Sequence, residues 1–530
     1  MSRIPDPIGE AFDARWKHHD GSRLDQDLDL EADVVIIGTG AGGGVSAEIL
    51  SQAGLRVILV EEGPLRTSRD FKMQERIAYP DLYQEAAGRK TADKGIGILQ
   101  GRAVGGSTLV NWTTSFRTPA RTLKHWVDVH GLADYASEAL APWFARMEER
   151  LHIAPWAVPP NANNEALRTG CEKLGLKAKV ISRNVNGCWN LGYCGMGCPA
   201  NAKQSMLVTT LPAALDRGAI LLSRTRVEKL EIRGDRVQGV LCHGMDAQGQ
   251  VRRERRIRLR AAQVILAAGA IGSPAVLLRS GAPDPHGRTG ARTFLHPVNL
   301  SAALSPEAIN GYQGAPQSIY CDDFLWPEDD RIGYKLEVPP VHPLIASTMI
   351  GGHGPAHRYV MERFDRAQIL IALMRDGFHE QAQGGRVRLD EHGYPLLDYP
   401  LTDYVFEGMR RAYLQMAELQ FAAGMSEVLP IHEDARRYKT WREAESAIRA
   451  LPMQVLHAKV VSAHVMGGCG LSVRPEDGVV TPEGRHHQLA NLSVFDGSIF
   501  PTSIGANPQL SIYAMVARLA TGLAERLRKS

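Results

Sequence analysis

Short apolar runs that lead into a glycine recur along the chain and predict buried strands followed by helices. Residues 34–37 are Val and Ile throughout and precede Gly38, and residues 56–60 repeat the apolar pattern. Residues 263–266 form a third run, which leads through two alanines into Gly269. Buried parallel strands have such continuous sequences, rich in Val, Ile and Leu. The chain is therefore predicted to begin with a βαβ unit.

The pattern changes after this first unit, so a simple doubly wound domain does not account for the whole chain. Residues 120–160 contain helical stretches and end in a break rich in Pro and Asn, whereas residues 221–241 have the pattern of strands. Residues 290–455 are richer in aromatic residues, His and Pro, and residues 369–374 are strand-like. Near the C-terminus, apolar residues recur at helical spacing and predict a helix: Leu510, Tyr513, Val516, Leu519 and Leu523.

Length and composition indicate a large globular enzyme. The 530 residues exceed one typical domain, and a hydrophobic content of 44% can form sizeable cores. The net charge of +3 is the small difference between 61 basic and 58 acidic side chains, which argues against nucleic-acid binding. Six arginines at residues 252–260 are interpreted as part of a solvated strand pair.

Membrane and targeting signals are weak in this sequence. No uninterrupted apolar stretch is long enough to cross a bilayer, and residues 1–30 are polar and acidic rather than typical of a signal peptide. A cytoplasmic enzyme is therefore expected. A peripheral membrane contact, or export with a partner subunit, stays open as an alternative.

The first glycine turn carries the spacing of a dinucleotide-binding fingerprint. Gly38 permits the tight turn, Gly40 lets the backbone approach a pyrophosphate, and Gly43 lets the following helix pack close to the strand. The N-terminus of that helix presents free N–H groups and a positive dipole end to the phosphates. Glu61 follows the second strand, where a carboxylate can accept hydrogen bonds from adenosine ribose hydroxyls, which argues against a 2′-phosphate.

Four ordered segments resemble the glucose-methanol-choline (GMC) family of FAD-dependent oxidoreductases. Residues 101–111 resemble the first signature of the family and residues 269–281 resemble the second, which departs only at its end. Residues 464–469 and 496–508 resemble the C-terminal active-site segments. The similarity is strongest to the long-chain alcohol oxidase and cholesterol oxidase branches.

The resemblance implies an α/β fold, α+β overall, with a Rossmann-type FAD-binding domain interleaved with a substrate domain built on an antiparallel sheet with helices. The predicted segments are an N-terminal extension at 1–30, an FAD-binding domain at 31–118, 200–295 and 456–530, and a substrate-binding domain at 119–199 and 296–455 that includes a cysteine-containing segment at 186–199.

The resemblance also implies noncovalent FAD, since the positions that carry a flavin-linking His in some members have none here. The implied contacts lie beside the isoalloxazine ring, near adenine, and along the pyrophosphate or ribityl chain. Besides Gly38, Gly40, Gly43 and Glu61, the implied cofactor-binding residues are Gly105, Gly106, Ser107, Asn111, Val227, Ala268, Gly269, Asp496, Gly497, Asn507 and Pro508.

Oxidation of an alcohol needs a base for the hydroxyl proton while hydride leaves the carbon for flavin N5. Imidazole is suited to this role near neutral pH, and His464 matches the active-site His of the family. The resemblance places Asn507 opposite His464, although many relatives carry a second His there. Asn507 followed by Pro508 is also interpreted as the N-terminal cap of the last helix. Other His residues, including His296, His342, His353 and His357, have weaker cases. Glu337 could line the pocket, make a structural hydrogen bond or lie at the surface.

Three closely spaced cysteines raise the question of a second cofactor besides FAD. Cys188, Cys194 and Cys198 match three of the four cysteine positions in a ferredoxin run, and the spacing resembles that in GMC sugar dehydrogenases, where a cluster relays electrons. A [3Fe-4S] cluster is therefore one prediction, and free thiols or one disulfide are the alternatives.

Two functions follow from the sequence. The favoured prediction is FAD-dependent oxidation of a bulky, mainly apolar primary or secondary alcohol, with oxygen or another electron acceptor. The alternative is a sugar dehydrogenase catalytic subunit that passes electrons through an iron–sulfur cluster to a partner subunit.

Overall fold

The computed structural model describes residues 5–529. Its α-helices are α1 (Pro7–Ala14), α2 (Ala41–Gln52), α3 (Glu75–Leu82), α4 (Ala120–His130), α5 (Ser137–Arg150), α6 (Ala162–Lys173), α7 (Thr210–Leu215), α8 (Gly269–Arg279), α9 (Pro343–Met349), α10 (Pro355–Met361), α11 (Asp403–Ala422), α12 (Trp441–Ala450) and α13 (Gln509–Lys529).

The strands follow the same chain order. They are β1 (His18–Asp20), β2 (Leu28–Ile37), β3 (Val57–Val60), β4 (Ile96–Ile98), β5 (Ile153–Pro155), β6 (Ala178–Val180), β7 (Ser182–Asn184), β8 (Ile220–Ser223), β9 (Thr225–Arg233), β10 (Arg236–Met245), β11 (Val251–Leu266), β12 (Ala291–Leu295), β13 (Val298–Leu304), β14 (Ile319–Cys321), β15 (Tyr334–Glu337), β16 (Ala367–Met374), β17 (Gly385–Leu389), β18 (Pro395–Asp398), β19 (Glu427–Pro430), β20 (Val460–Ser462), β21 (Val465–Gly467) and β22 (Leu492–Val494).

The first sheet has a parallel centre that brings together the three apolar runs noted in the sequence. Its strands lie in the order β1-β8-β3-β2-β11-β10-β9, and β22 pairs with the end of β11. The register places Val35 beside Ile58 on one side and beside Val264 on the other. All three side chains are buried, as expected for parallel strands covered on both faces. The predicted Rossmann-type unit is confirmed.

The outer half of β11 pairs antiparallel with β10 and carries the arginine run. Arg258 lies 2.8 Å from Glu231, and the neighbouring residues 253–256 are exposed. This part of the first sheet is the solvated strand pair that the sequence predicts.

The second sheet is mainly antiparallel, in the order β4-β20-β13-β16-β15-β14-β6, and β19 also pairs with β13. Helix α11 packs against β13 and β16 on one face. Two smaller sheets have the strand orders β18-β17-β12-β21 and β5-β7. The second sheet corresponds to the antiparallel sheet predicted for the substrate domain, although β4 and β20 come from segments assigned to the FAD-binding domain.

The two ends of the chain meet in the first unit. The C-terminal helix α13 packs against α2, the helix that follows the first glycine turn. Strand β1 pairs with β8 at the edge of the first sheet, which favours including the residues before position 31 in this unit rather than in a separate extension. The predicted domain boundaries stay a proposal.

Between residues 5 and 529, none of the helices is both long and apolar enough to span a membrane. The cytoplasmic location stays a prediction.

Candidate active site

The first glycine turn connects β2 to α2 and supports a long cavity. Gly38 adopts a φ of +103°, and a Cβ on Gly43 would lie 1.9 Å from the Gly38 carbonyl oxygen. These two glycines therefore serve the fold, since only a residue without a side chain allows the turn and the close approach of helix to strand. Gly40 precedes the first residue of α2 and lines the cavity.

Glu61 follows the end of β3 and also lines the cavity. Its carboxylate accepts hydrogen bonds from the backbone amide of Thr39 at 3.1 Å, the Thr39 hydroxyl at 2.7 Å and the backbone amide of Gly63 at 2.9 Å. Burial raises the pKa of Glu61, and these donors oppose that shift. The carboxylate thus joins the end of β3 to the glycine turn.

The cavity has a volume of about 1340 Å³ and extends from Glu61 and Val227 to His464 and Asn507. The predicted site residues that line it are Gly38, Gly40, Glu61, Gly106, Ser107, Asn111, Val227, Ala268, Gly269, His464, Asp496, Gly497, Asn507 and Pro508. Gly43 and Gly105 do not line it. Segments from both ends of the chain therefore converge on one cavity, as the sequence predicts.

The loop that carries the first signature forms part of the cavity floor. Gly105 and Gly106 have φ angles of +99° and +54°, and a Cβ on Gly106 would lie 2.7 Å from the Cα of Gly40. Asn111 donates through Nδ2 to Oε1 of Gln509 at 2.7 Å. The first signature is thus joined to the start of α13.

Asp496 connects the second signature to the C-terminal segment. Its carboxylate accepts hydrogen bonds from the Gly269 amide at 2.8 Å, the Ser273 hydroxyl at 2.5 Å and the Ser498 amide at 2.8 Å. Burial raises the pKa of Asp496 while these hydrogen bonds lower it. Asp496 therefore shapes the glycine turn at the start of α8.

His464 lies between β20 and β21, and its half-buried ring faces the cavity. Its Nδ1 is 3.0 Å from Nδ1 of His296, a buried residue between β12 and β13. Burial lowers the pKa of His464 to about 4, and burial beside His464 holds the pKa of His296 well below its usual range. Both rings are therefore neutral near pH 7.

The hydrogen bonds assign the proton positions in this pair. The backbone amide of Gly505 donates to Nε2 of His296 at 3.2 Å, so the proton of a neutral His296 lies on Nδ1. That proton is donated to Nδ1 of His464, whose own proton then lies on Nε2. In the resting site His464 is consequently a hydrogen-bond donor toward the cavity.

Asn507 is held from behind by two buried charged residues. Its Oδ1 accepts a hydrogen bond from Nζ of Lys335 at 2.7 Å, and its Nδ2 donates to Oε2 of Glu337 at 3.3 Å. The interpretation of Asn507 as a helix cap is wrong, because α13 begins at Gln509 and the carboxamide is engaged by Lys335 and Glu337. Glu337 lies behind Asn507 rather than in the wall of the cavity.

An apolar chamber extends from this polar end across the second sheet. Along β16, Ile369, Ile371 and Leu373 face the cavity, whereas Leu370 and Ala372 belong to the core under α11. This alternation follows from the two-residue period of a strand. Further apolar side chains of the chamber are Val298, Leu300, Ile345, Ala346, Met349, Ile350, Ile431 and Val461.

The three cysteines of the proposed cluster motif are half-buried free thiols on one loop. Arg183 donates to Sγ of Cys194 at 3.6 Å, and the Asn190 amide donates to Sγ of Cys188 at 3.4 Å; Cys198 is the third. Within the described part of the chain, no group of three or more His, Cys, Asp or Glu side chains is arranged to hold a metal ion. The iron–sulfur prediction therefore receives no support.

Two buried lysines near the cavity were not identified as site residues from the sequence. Lys203 donates to the carbonyl oxygens of Leu109, Asn111 and Cys194 at 2.6–2.8 Å, and burial lowers its pKa to about 8. Lys335 was also missed, although its alternation with Glu337 along an otherwise apolar strand is visible in the sequence.

Comparisons with known proteins agree with the fold and the site segments. Two models described as GMC oxidoreductase match residues 79–298 and 381–516. Long-chain-alcohol oxidase FAO4A of Arabidopsis thaliana is 28% identical over 540 residues, covering 98% of this chain and 72% of the relative. The uncharacterized GMC-type oxidoreductase y4nJ of Sinorhizobium fredii is 30% identical over 508 residues, covering 94% of this chain and 96% of the relative.

Solved structures of the same architecture are more distant in sequence. Pyridoxine 4-oxidase from Mesorbium loti has a TM-score of 0.66 at 20% identity, covering 92% of this chain and 98% of that one. A formate oxidase of Aspergillus oryzae has a TM-score of 0.68 at 14% identity, covering 94% and 100%. At these identities the likeness shows the fold alone.

Proposed function

The chain belongs to the GMC oxidoreductase family, and from that premise we propose that it oxidises a bulky, mainly apolar primary or secondary alcohol to the aldehyde or ketone. The chain is an FAD-dependent oxidoreductase that acts on CH–OH groups and is related to the long-chain-alcohol oxidases. The observation that carries the choice of substrate is the apolar chamber, which is continuous with the cofactor cavity and ends at His464 and Asn507.

The residues of the cavity fit FAD. Gly40 and Gly106 leave a floor without side chains beside the N-terminus of α2, which suits a pyrophosphate. Glu61 lies at the end of β3, where it can reach a ribose. The volume of about 1340 Å³ exceeds the usual range for small-molecule pockets, which agrees with a dinucleotide and a substrate sharing one space. When bound, FAD supplies the hydride acceptor.

We propose that His464 accepts the hydroxyl proton of the alcohol at Nε2. This requires the tautomer in which Nδ1 of His464 donates to Nδ1 of His296, while Nε2 of His296 carries a proton and gives up the hydrogen bond from Gly505. The Gly505 amide and Nε2–H of His296 are then two buried donors that face each other, and each unsatisfied donor costs about 1–3 kcal/mol. Their sum is still smaller than the barrier of an enzyme reaction. Asn507 would donate a hydrogen bond to the same oxygen from the opposite side.

A substrate series tests the proposed function. Anaerobic mixing with long-chain, aromatic and sterol alcohols should bleach the flavin absorbance, and short alcohols should do so less efficiently because they leave the chamber unfilled. Bleaching by sugars but by none of the apolar alcohols would contradict the proposal. Oxygen consumption during turnover separates an oxidase from a dehydrogenase.

A further inference from the structure

A buried ion pair lies directly behind Asn507. Lys335 is 2% exposed and Glu337 is 0% exposed, and Nζ of Lys335 is 2.7 Å from Oε1 of Glu337. The two residues are two positions apart on β15 and share one face of the strand, whereas Tyr334 and Leu336 belong to the apolar core.

The ion pair determines the orientation of the Asn507 carboxamide. An ammonium group only donates and a carboxylate only accepts. Oδ1 of Asn507 must therefore face Nζ of Lys335, and Nδ2 must face Oε2 of Glu337. The second N–H of Nδ2 is left for a partner in the cavity, which Asn507 lines.

The ion pair is itself held in place by its neighbours. Gln317 donates to Oε2 of Glu337 at 2.7 Å, and the ammonium group of Lys335 lies 3.8 Å from the centre of the Phe116 ring. Buried ion pairs often contribute little to stability, because desolvation offsets their attraction. A role in orienting the Asn507 side chain therefore explains this buried ion pair better than a contribution to the stability of the fold does.

We propose that Lys335, together with Glu337, is a positioning residue that keeps an N–H of Asn507, and not its carbonyl oxygen, turned toward the alcohol oxygen. A donor at this point stabilises the oxygen as its proton is removed, whereas a carbonyl oxygen would repel it. This inference rests on the proposed alcohol oxidation.

A double-mutant cycle tests the inference. The first variant is Lys335→Met with Glu337→Gln, which removes both charges and leaves no unpaired ion, and the second is Asn507→Leu. With a long-chain alcohol under anaerobic conditions, each should lower the maximal rate of flavin bleaching at least about tenfold. The combined variant should be no slower than Asn507→Leu, because the ion pair acts through Asn507.

Two measurements distinguish positioning from support of the fold. The melting temperature and FAD content of the charge-free variant should stay near those of wild type, and KM should change by no more than a few-fold. A matched control is Lys124→Met with Asp128→Asn, an exposed pair 2.6 Å apart on α4 and outside the cavity lining, which should leave the rate unchanged.

The outcomes separate the two proposals. A wild-type rate in the charge-free variant, or additive losses in the cycle, would overturn the positioning role while leaving alcohol oxidation intact. If no alcohol reduces the FAD bound to the wild-type protein, both the positioning role and the proposed alcohol oxidation are overturned. If the first variant does not fold, Lys335→Met with Glu337→Leu replaces it as an apolar pair. Its rate of flavin bleaching and the additivity of the losses in the cycle then decide in the same way.

Discussion

Gly40 and Gly43 lie in the same turn, but a methyl group would meet different surroundings at each. The backbone of Gly40 has a negative φ of −69° and a ψ of −158°, near the extended region, and the atom nearest to an added Cβ is Cα of Gly106 at 3.8 Å. An added Cβ on Gly43 would lie 1.9 Å from the carbonyl oxygen of Gly38. Alanine at the two positions therefore separates cofactor binding from folding.

The size of each effect follows from these distances. The contact at Gly43 is roughly 1.5 Å short of van der Waals separation, so α2 must move away from β2. Such overpacking destabilises by about 1–3 kcal/mol or more, and Gly43→Ala should lower both the melting temperature and the FAD content. Gly40→Ala should destabilise the FAD-free protein by less than this, about 1 kcal/mol or below, because Gly40 is the N-cap residue of α2 and Gly is preferred to Ala there. At the proposed pyrophosphate position, its methyl group should weaken FAD binding at least about tenfold, or about 1.4 kcal/mol.

The assay is a titration of deflavinated protein with FAD, followed by thermal unfolding with and without saturating FAD. Added FAD should raise the melting temperature of wild type far more than that of Gly40→Ala at the same concentration, because stabilisation by a ligand grows with its concentration relative to Kd. Gly522→Ala is the control, since its Cβ would point into open space on α13 and should be neutral or slightly stabilising. Wild-type FAD affinity in Gly40→Ala would refute the placement of the pyrophosphate at the N-terminus of α2.

Three further predictions address the reacting groups, the buried rings and the cysteine loop. His464→Ala should keep its FAD but bleach about a hundredfold to ten-thousandfold more slowly with alcohol, and near-native rates would remove His464 from the role of base. Burial lowers the pKa of His130, His464 and His486 to about 4, so the unfolded chain binds more protons between about pH 6.5 and pH 4. Stability should be highest above pH 6.5 and fall as the pH approaches 4, which melting curves at constant ionic strength would show. Iron and acid-labile sulfide analysis after anaerobic purification should find no stoichiometric metal; a cluster with three irons per chain would restore the sugar dehydrogenase alternative.

The sequence predicts the parts of this site that depend on local chemistry. A glycine fingerprint after an apolar strand and an amphipathic C-terminal helix each have a pattern that a short window contains. The resemblance to a known family adds the order of these segments along the chain. From that order, the sequence analysis also predicts that segments from both ends of the chain meet at one site. The predicted roles of individual residues in binding and catalysis stay predictions.

Contacts made across the fold could not be predicted in this way. His296 reaches His464 across 168 positions, and Asn111 reaches Gln509 across 398. Such pairs depend on how two sheets meet, and no spacing along the chain encodes that geometry. The partners of Asn507 show the same limit. A capping role is the local expectation for an Asn before Pro, whereas the Asn507 carboxamide accepts a hydrogen bond from the distant Lys335.

The register of the second sheet indicates how a substrate would lie. Lys335 is paired with Leu373, which is paired with Val298, and the next row runs from Glu337 through Ile371 to Leu300. Directly paired residues point to the same face, so each row changes from charged to apolar within one strand spacing of about 5 Å. In the proposed function, an alcohol whose oxygen meets Asn507 at the β15 side would extend its hydrocarbon part across β16 toward β13. A sugar hydroxyl placed against Ile371 or Leu300 would lose hydration without gaining a hydrogen-bond partner from these two side chains, which favours the proposed apolar alcohol.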